Sequence, residues 1–152
     1  MSPEIFSWKF IVYLFKAFYL NIAKPKKEYR WVLLKHSGAP DDLRGVHFDL
    51  LLEDKDFCRT WRLTDIPLLD GPYVDSVYIA PHKLYWLDIK EKVVSDNRGV
   101  ATRINKGIFY KSLPIIEKSS IDLLLKWADG EGNLLIDENG CRIFSKKSNY
   151  FF

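Results

Sequence analysis

"GVHFDLLLED", residues 45–54, places polar and apolar side chains as a half-buried β-strand does. His47 and Asp49 stand two apart and point the same way on an extended chain, with Leu51 next on that face. Leu50 and Leu52 point the other way, toward a core. The His-x-Asp pair is then either a hydrogen-bonded feature of the packing or two ligands of a site.

On either side the pattern stays at period two or in short apolar runs. Residues 29–36, "YRWVLLKH", read as a preceding strand, and 37–45 as a loop rich in Gly, Asp and Pro. Residues 57–63, "FCRTWRL", pair with the central strand across the polar turn "DKD". The stretch 66–75 reads as loop, and 76–80 and 83–89 as short strands either side of Pro81-His82. Residues 99–105 and 107–113, separated by Lys106, predict a hairpin, and 121–127 is ambiguous between helix and strand. "NLLID" and "CRIFS" form a last hairpin through Asn139-Gly140. Many short strands with Gly-bearing turns indicate an all-β barrel or sandwich.

A chain of 152 residues suits one domain with a substantial core. Its composition is globular, 47% apolar and 28% charged, and the net charge of +3 permits a polyanionic partner without arguing for one. Cys58 and Cys141 read as two reduced, buried thiols, in keeping with a reducing, cytoplasmic setting.

Residues 1–27 form an extension before the β domain of 28–152. Within it, 5–23 is apolar and aromatic nearly all round, broken by Lys9 and Lys16, which share one helical face. Pro25 stops this helix, and "KPKKEYR" (24–30) supplies a basic collar. Glu4 and the lack of a small-residue cleavage site argue against a secretory signal. Three readings stand: a helix packed on the protein or on a partner, an interfacial helix on a membrane surface, and a spanning helix burdened by two lysines.

Familiar catalytic motifs are absent: the sequence has no GxGxxG or Walker loop, no GxSxG elbow, no CxxC pair and no HExxH helix. What remains is the set of three histidines: His36 ending the first strand, His47 in the second and His82 after Pro81. On neighbouring strands, two imidazoles and the Asp49 carboxylate make a mixed N/O set that suits Mn²⁺, Fe²⁺ or Zn²⁺. Taken singly, each histidine is better explained as a surface or hydrogen-bonded core residue.

The run "LLKH…GVHFDLLLE…TWRL…APHKLYWLD" resembles the 3′-phosphoesterase domain that precedes bacterial end-joining DNA ligases, and above all its stand-alone, ligase-D-N-terminal-like relatives. The resemblance covers roughly residues 30 to 113, and all three histidines fall on the family's histidine positions. It implies a small closed or partly closed β-barrel with a polar crater. It implies that His36, His47 and Asp49 bind a divalent metal, typically manganese, with zinc or cobalt as alternatives. His82 would act on the phosphate as donor or general acid, with Glu53 kept from the family's acidic position. The substrates would be DNA or RNA 3′ ends carrying a 3′-phosphate or a terminal ribonucleotide, and a ligase or polymerase in trans would complete repair.

The chain departs from the family at several basic positions. Leu51 stands where classical members carry an arginine, no arginine precedes the third histidine in 73–80, and Asp65 replaces an expected lysine. Arg62 in "TWRL" is the compensating candidate, with Arg44, Arg98 and Arg103 as weaker phosphate contacts. Trp86 aligns with a family tyrosine. With Trp31, Trp61, Tyr78 and Tyr85 it offers either base stacking or core and rim packing. Asp41 and Asp42 add acidic charge to an unusually long His36–His47 connection. The rival to an enzyme is a catalytically degenerate β-barrel that binds nucleic acid, phosphate or a partner protein, held at a membrane by its first 23 residues.

Overall fold

The computed structural model describes residues 8–23, 26–40 and 42–146, and the side chains of 17–23 are outside that description. The expected helix start at residue 5, its stop at Pro25, and Asp41 lie outside the described residues.

Among the described residues, one helix, α1 (Trp8–Ala23), precedes nine strands: β1 (Tyr29–Ser37), β2 (Val46–Asp54), β3 (Phe57–Leu63), β4 (Ser76–Lys83), β5 (Glu91–Val93), β6 (Val100–Phe109), β7 (Ile121–Trp127), β8 (Gly130–Asp137) and β9 (Gly140–Phe144). They form one antiparallel sheet in the order β4-β3-β2-β1-β6-β7-β8-β9, with β5 alongside β6. The mainly β class is as expected, but the barrel is not closed. The sheet curls strongly, and its edges approach where Leu69 and Val74, in the loop before β4, bridge to Ile143 and Cys141 of β9.

The sheet buries both faces. Phe48, Leu50 and Leu52 of β2 join Trp31, Leu33, Trp61, Leu63, Phe109, Leu125 and Leu134 in the main core. On the opposite face Leu51 packs with Val32, Leu34 and Cys58 beneath Leu84, Trp86 and Leu87. The second layer is a 3-10 helix, Leu84–Asp88, where alternation had predicted a strand over 83–89. Both cysteines are free and buried, and burial pushes each thiol up to about 12. The ambiguous 121–127 segment is a strand.

The hairpin expected over 99–113 does not exist. β6 runs through Lys106-Gly107 without turning, and the glycine serves a close approach instead. A Cβ at Gly107 would lie 1.7 Å from the Lys126 carbonyl oxygen of β7, the same oxygen that accepts a hydrogen bond from Trp31 Nε1 at 3.1 Å. Only Gly107 and Ile108 of β6 pair with β7, so this seam joins the two halves of the sheet.

Among the described residues no helix is long and apolar enough to cross a membrane. Trp8, Ile11, Tyr13, Leu14 and Phe15 of α1 are each more than half exposed, and none of its described side chains enters either core. Gly107→Ala is expected to lower the unfolding free energy by about 1–3 kcal/mol through overpacking of the seam. An unchanged urea midpoint would contradict that role for the glycine.

Candidate metal centre

Strand register assembles the site. His36 of β1 lies opposite His47 of β2, and Asp49 lies opposite Arg62 of β3. Directly opposed residues share a face, so all four side chains project from the side away from the main core. His82 needs a further device. Between β3 and β4, the step from Cys58 to Thr60 is matched by the step from His82 back to Ile79, which contains one extra residue. This bulge at Ala80-Pro81 reverses the parity of β4 and aims His82 toward the same face, at a place where proline's missing N–H is tolerated. His82 therefore lies within β4, not at a corner between strands.

The candidate ligand atoms of His36, His47 and Asp49 all lie within 4.8 Å of one another. His47 Nε2 is 3.7 Å from Asp49 Oδ2, and His36 Nδ1 is 3.1 Å from His47 Nε2. The outer nitrogens of both rings have acceptors. His47 Nδ1 donates to Asp42 Oδ2 at 2.7 Å, and His36 Nε2 donates to the Arg98 carbonyl at 2.5 Å. Gly99, at φ +89, allows that carbonyl to arrive: a Cβ there would lie 2.0 Å from the Ser37 oxygen.

With the outer nitrogens carrying the ring protons, the inner nitrogens of the neutral rings face each other as lone pairs. Two lone pairs 3.1 Å apart repel unless a proton or a cation lies between them. A metal fits: two nitrogens about 2 Å from one ion are about 3 Å apart at neighbouring corners of its coordination shell. The outer carboxylate and carbonyl are the partners that orient metal-binding histidines.

Electrostatics agree. The nearby Asp49 carboxylate, 3.7 Å away, and then the hydrogen bond to Asp42 raise the His47 pKa above its ordinary value, against the effect of burial. Burial pulls Asp49 upward, yet the adjacent His47 ring and the hydrogen bonds from Arg62 outweigh it and hold the carboxyl below the usual range. Arg62 grips that carboxylate with both arms of its fork, Nε to Oδ1 at 3.1 Å and a terminal nitrogen to Oδ2 at 3.4 Å. His47 likewise lowers Asp42, whose carboxylate is engaged rather than left as repulsive charge at the rim.

His82 lies deeper. Its Nδ1 is 2.9 Å from Thr60 Oγ1, whose single hydrogen goes to the Cys58 carbonyl at 3.2 Å, so Nδ1 donates and Nε2 presents its lone pair to the cavity. That Nε2 is 4.0 Å from Asp49 Oδ2, and burial lowers the pKa of His82, leaving it neutral at pH 7.

His36, Asp49, Arg62, His82, Trp86 and Arg98 line one cavity of about 540 Å³, within the range of small-ligand sites. Tyr85 and Trp86 stack on its wall, and Lys92 lies 4.7 Å and 5.1 Å from their ring centres. Other sequence candidates are placed elsewhere. Glu53 accepts from the Arg30 backbone N–H at 2.7 Å and does not line this cavity, nor does Arg103. Arg44 lines a second cavity, about 500 Å³, on the far side of His47 and Arg62. Trp31 and Trp61 belong to the main core, with Tyr78 packed against it. Leu51 shares the face of His47 and Asp49, but is fully buried under the 3-10 helix. Two residues escaped the sequence reading: Asp42, noted only as rim charge, and Thr60, which stood in plain view inside "TWRL".

Asp42→Asn is expected to weaken Mn²⁺ or Zn²⁺ binding about 10- to 100-fold in a calorimetric titration, as loss of an outer-shell carboxylate does. Because the His47 pKa is raised, protons compete with metal from a higher pH than for a free imidazole, so affinity falls as pH drops through that value. In the metal-free protein, this proton's contribution to stability is complete below the unfolded pKa and is lost as pH rises through the folded one. Equal affinity in Asp42→Asn and parent, with an unchanged His47 titration by NMR, would contradict the assignment. No family model and no curated protein matches the chain, so the chemistry of this centre is read from its own residues.

Proposed function

We propose that the chain is a metal-dependent phosphoesterase acting on the 3′ ends of DNA or RNA, removing a 3′-phosphate or a 3′-terminal ribonucleotide. The observation that carries this reading is the two-imidazole, one-carboxylate set of His36, His47 and Asp49, of which His36 and Asp49 share one cavity with His82 and Arg62. Manganese suits the mixed N/O donors, as do zinc and cobalt. When bound, the ion would polarise a phosphoryl oxygen and lower the pKa of water.

The chain's own residues account for the rest. Arg62, already aimed into the cavity by its hold on Asp49, is the cation placed to grip a phosphate, and it stands in for the basic group missing at Leu51. An arriving phosphate dianion raises the proton affinity of His82. Nε2 then takes up a proton and presents it to a phosphoryl or leaving oxygen, while Thr60 holds the ring by Nδ1. Lys83 and Arg98 add positive charge to the lining, and Trp86 with Tyr85 offers a flat wall for a sugar or base. A ligase or polymerase supplied in trans would seal the healed end.

A second reading, a catalytically degenerate module that binds nucleic acid, phosphate or a partner protein, draws support from Leu51 and Glu53. The first is sealed into an apolar cluster and the second is engaged by Arg30, so neither contributes to the cavity.

A primer–template bearing a 3′-phosphate or a 3′-terminal ribonucleotide, incubated with Mn²⁺, Zn²⁺ or Co²⁺, separates the two. The enzyme reading predicts turnover that falls by about 10²- to 10⁴-fold in His82→Ala. It predicts a fall of similar size in Arg62→Lys, where the bidentate fork is lost. No turnover with any of the three ions would overturn it.

A further inference from the structure

The centre does not account for α1. Its 16 described residues span about 24 Å, short of a bilayer's hydrocarbon core of about 30 Å. Yet it displays Trp8 at 79%, Tyr13 at 69% and Phe15 at 69% exposure, with Ile11 and Leu14 also more than half exposed. So large an apolar and aromatic surface has no place in water. The charge pattern indicates what covers it. Residues 5–27 contain five lysines, at 9, 16, 24, 26 and 27, and no acidic residue. At about 100° per residue, Lys9 and Lys16 fall on one side of the helix and Ile11, Leu14 and Phe15 on the other, with Tyr13 beside the lysines.

The body continues the pattern where the chain leaves the helix. Lys26 and Lys126 lie 5.8 Å and 5.5 Å from the centre of the Tyr110 ring, and Lys27 lies 5.2 Å from that of Tyr29. Against these stand Glu131, 4.0 Å from Lys126, Asp129 in the adjoining turn and Glu28 in the collar. A second copy of the helix is a poor partner, because pairing would bring five lysines against five. A surface of anionic lipid satisfies both features, taking the apolar side among its acyl chains and the lysines among its headgroups.

We propose that α1 and its basic collar form an interfacial anchor that lies in the plane of an anionic bilayer and holds the β domain at its surface. This is independent of the chemistry of the metal centre.

The test is flotation of the full-length chain with vesicles of pure phosphatidylcholine or of phosphatidylcholine with 30% phosphatidylglycerol, a composition of about the charge that recruits polybasic segments. The parent protein is expected to float with the anionic vesicles and to be released by high salt. Lys9→Glu/Lys16→Glu, altered at the lysine face of α1, is expected to bind at least about tenfold less. Ile11→Ser/Phe15→Ser is expected to lose binding to a similar degree, with the β spectrum of the domain unchanged by circular dichroism. Absence of flotation, or equal flotation of parent and both variants, overturns the anchor. So does a sedimenting dimer that Ile11→Ser/Phe15→Ser dissociates without any vesicle binding, which would assign the helix to a second copy.

Discussion

Two imidazole nitrogens, His36 Nδ1 and His47 Nε2, face each other 3.1 Å apart with their outer nitrogens already committed. Neutral rings held this way require a positive centre between them, and the structure supplies further negative charge to keep it there. Asp49 is nine-tenths or more buried, and its carboxylate is tolerable only because His47 and Arg62 compensate it. Without metal, a proton on the raised His47 can serve. A bound cation would take these atoms as ligands, leaving Arg62 to hold the far oxygen or an incoming anion.

The fold is arranged around that demand. A sheet buried on both faces keeps one side for the main core and uses the other for a shallow second layer, with the polar centre at one end of it and Leu51 at the other. Two local departures from regularity do most of the placing. The bulge at Ala80-Pro81 turns His82 onto the correct face, and the positive-φ corner at Gly99 brings the Arg98 carbonyl to His36.

The central strands were legible because each carries an unambiguous period of two, and His47 and Asp49 could be placed on one face from spacing alone. His36 joined them as the residue that ends the neighbouring strand, opposite His47 in the register. What spacing did not reveal has physical reasons. Alternation in 83–89 looks the same for a short strand as for a 3-10 helix, whose period of three differs little over so few residues. Lys106-Gly107 resembles a turn because glycine serves turns and close approaches alike, and only the Lys126 carbonyl tells which. Asp42 could not be assigned to His47 from sequence because a loop fixes no register, and the bulge that aims His82 depends on pairing with β3.

The account rests on a cation between His36 and His47, and the most direct test is a crystal of the full chain soaked in Mn²⁺ and measured at the manganese absorption edge. The account predicts one anomalous peak, about 2.0–2.3 Å from His36 Nδ1, His47 Nε2 and an Asp49 oxygen, and none there in His47→Ala. A map with no peak among these three residues, or with the ion held elsewhere while the two rings share a proton, would contradict it.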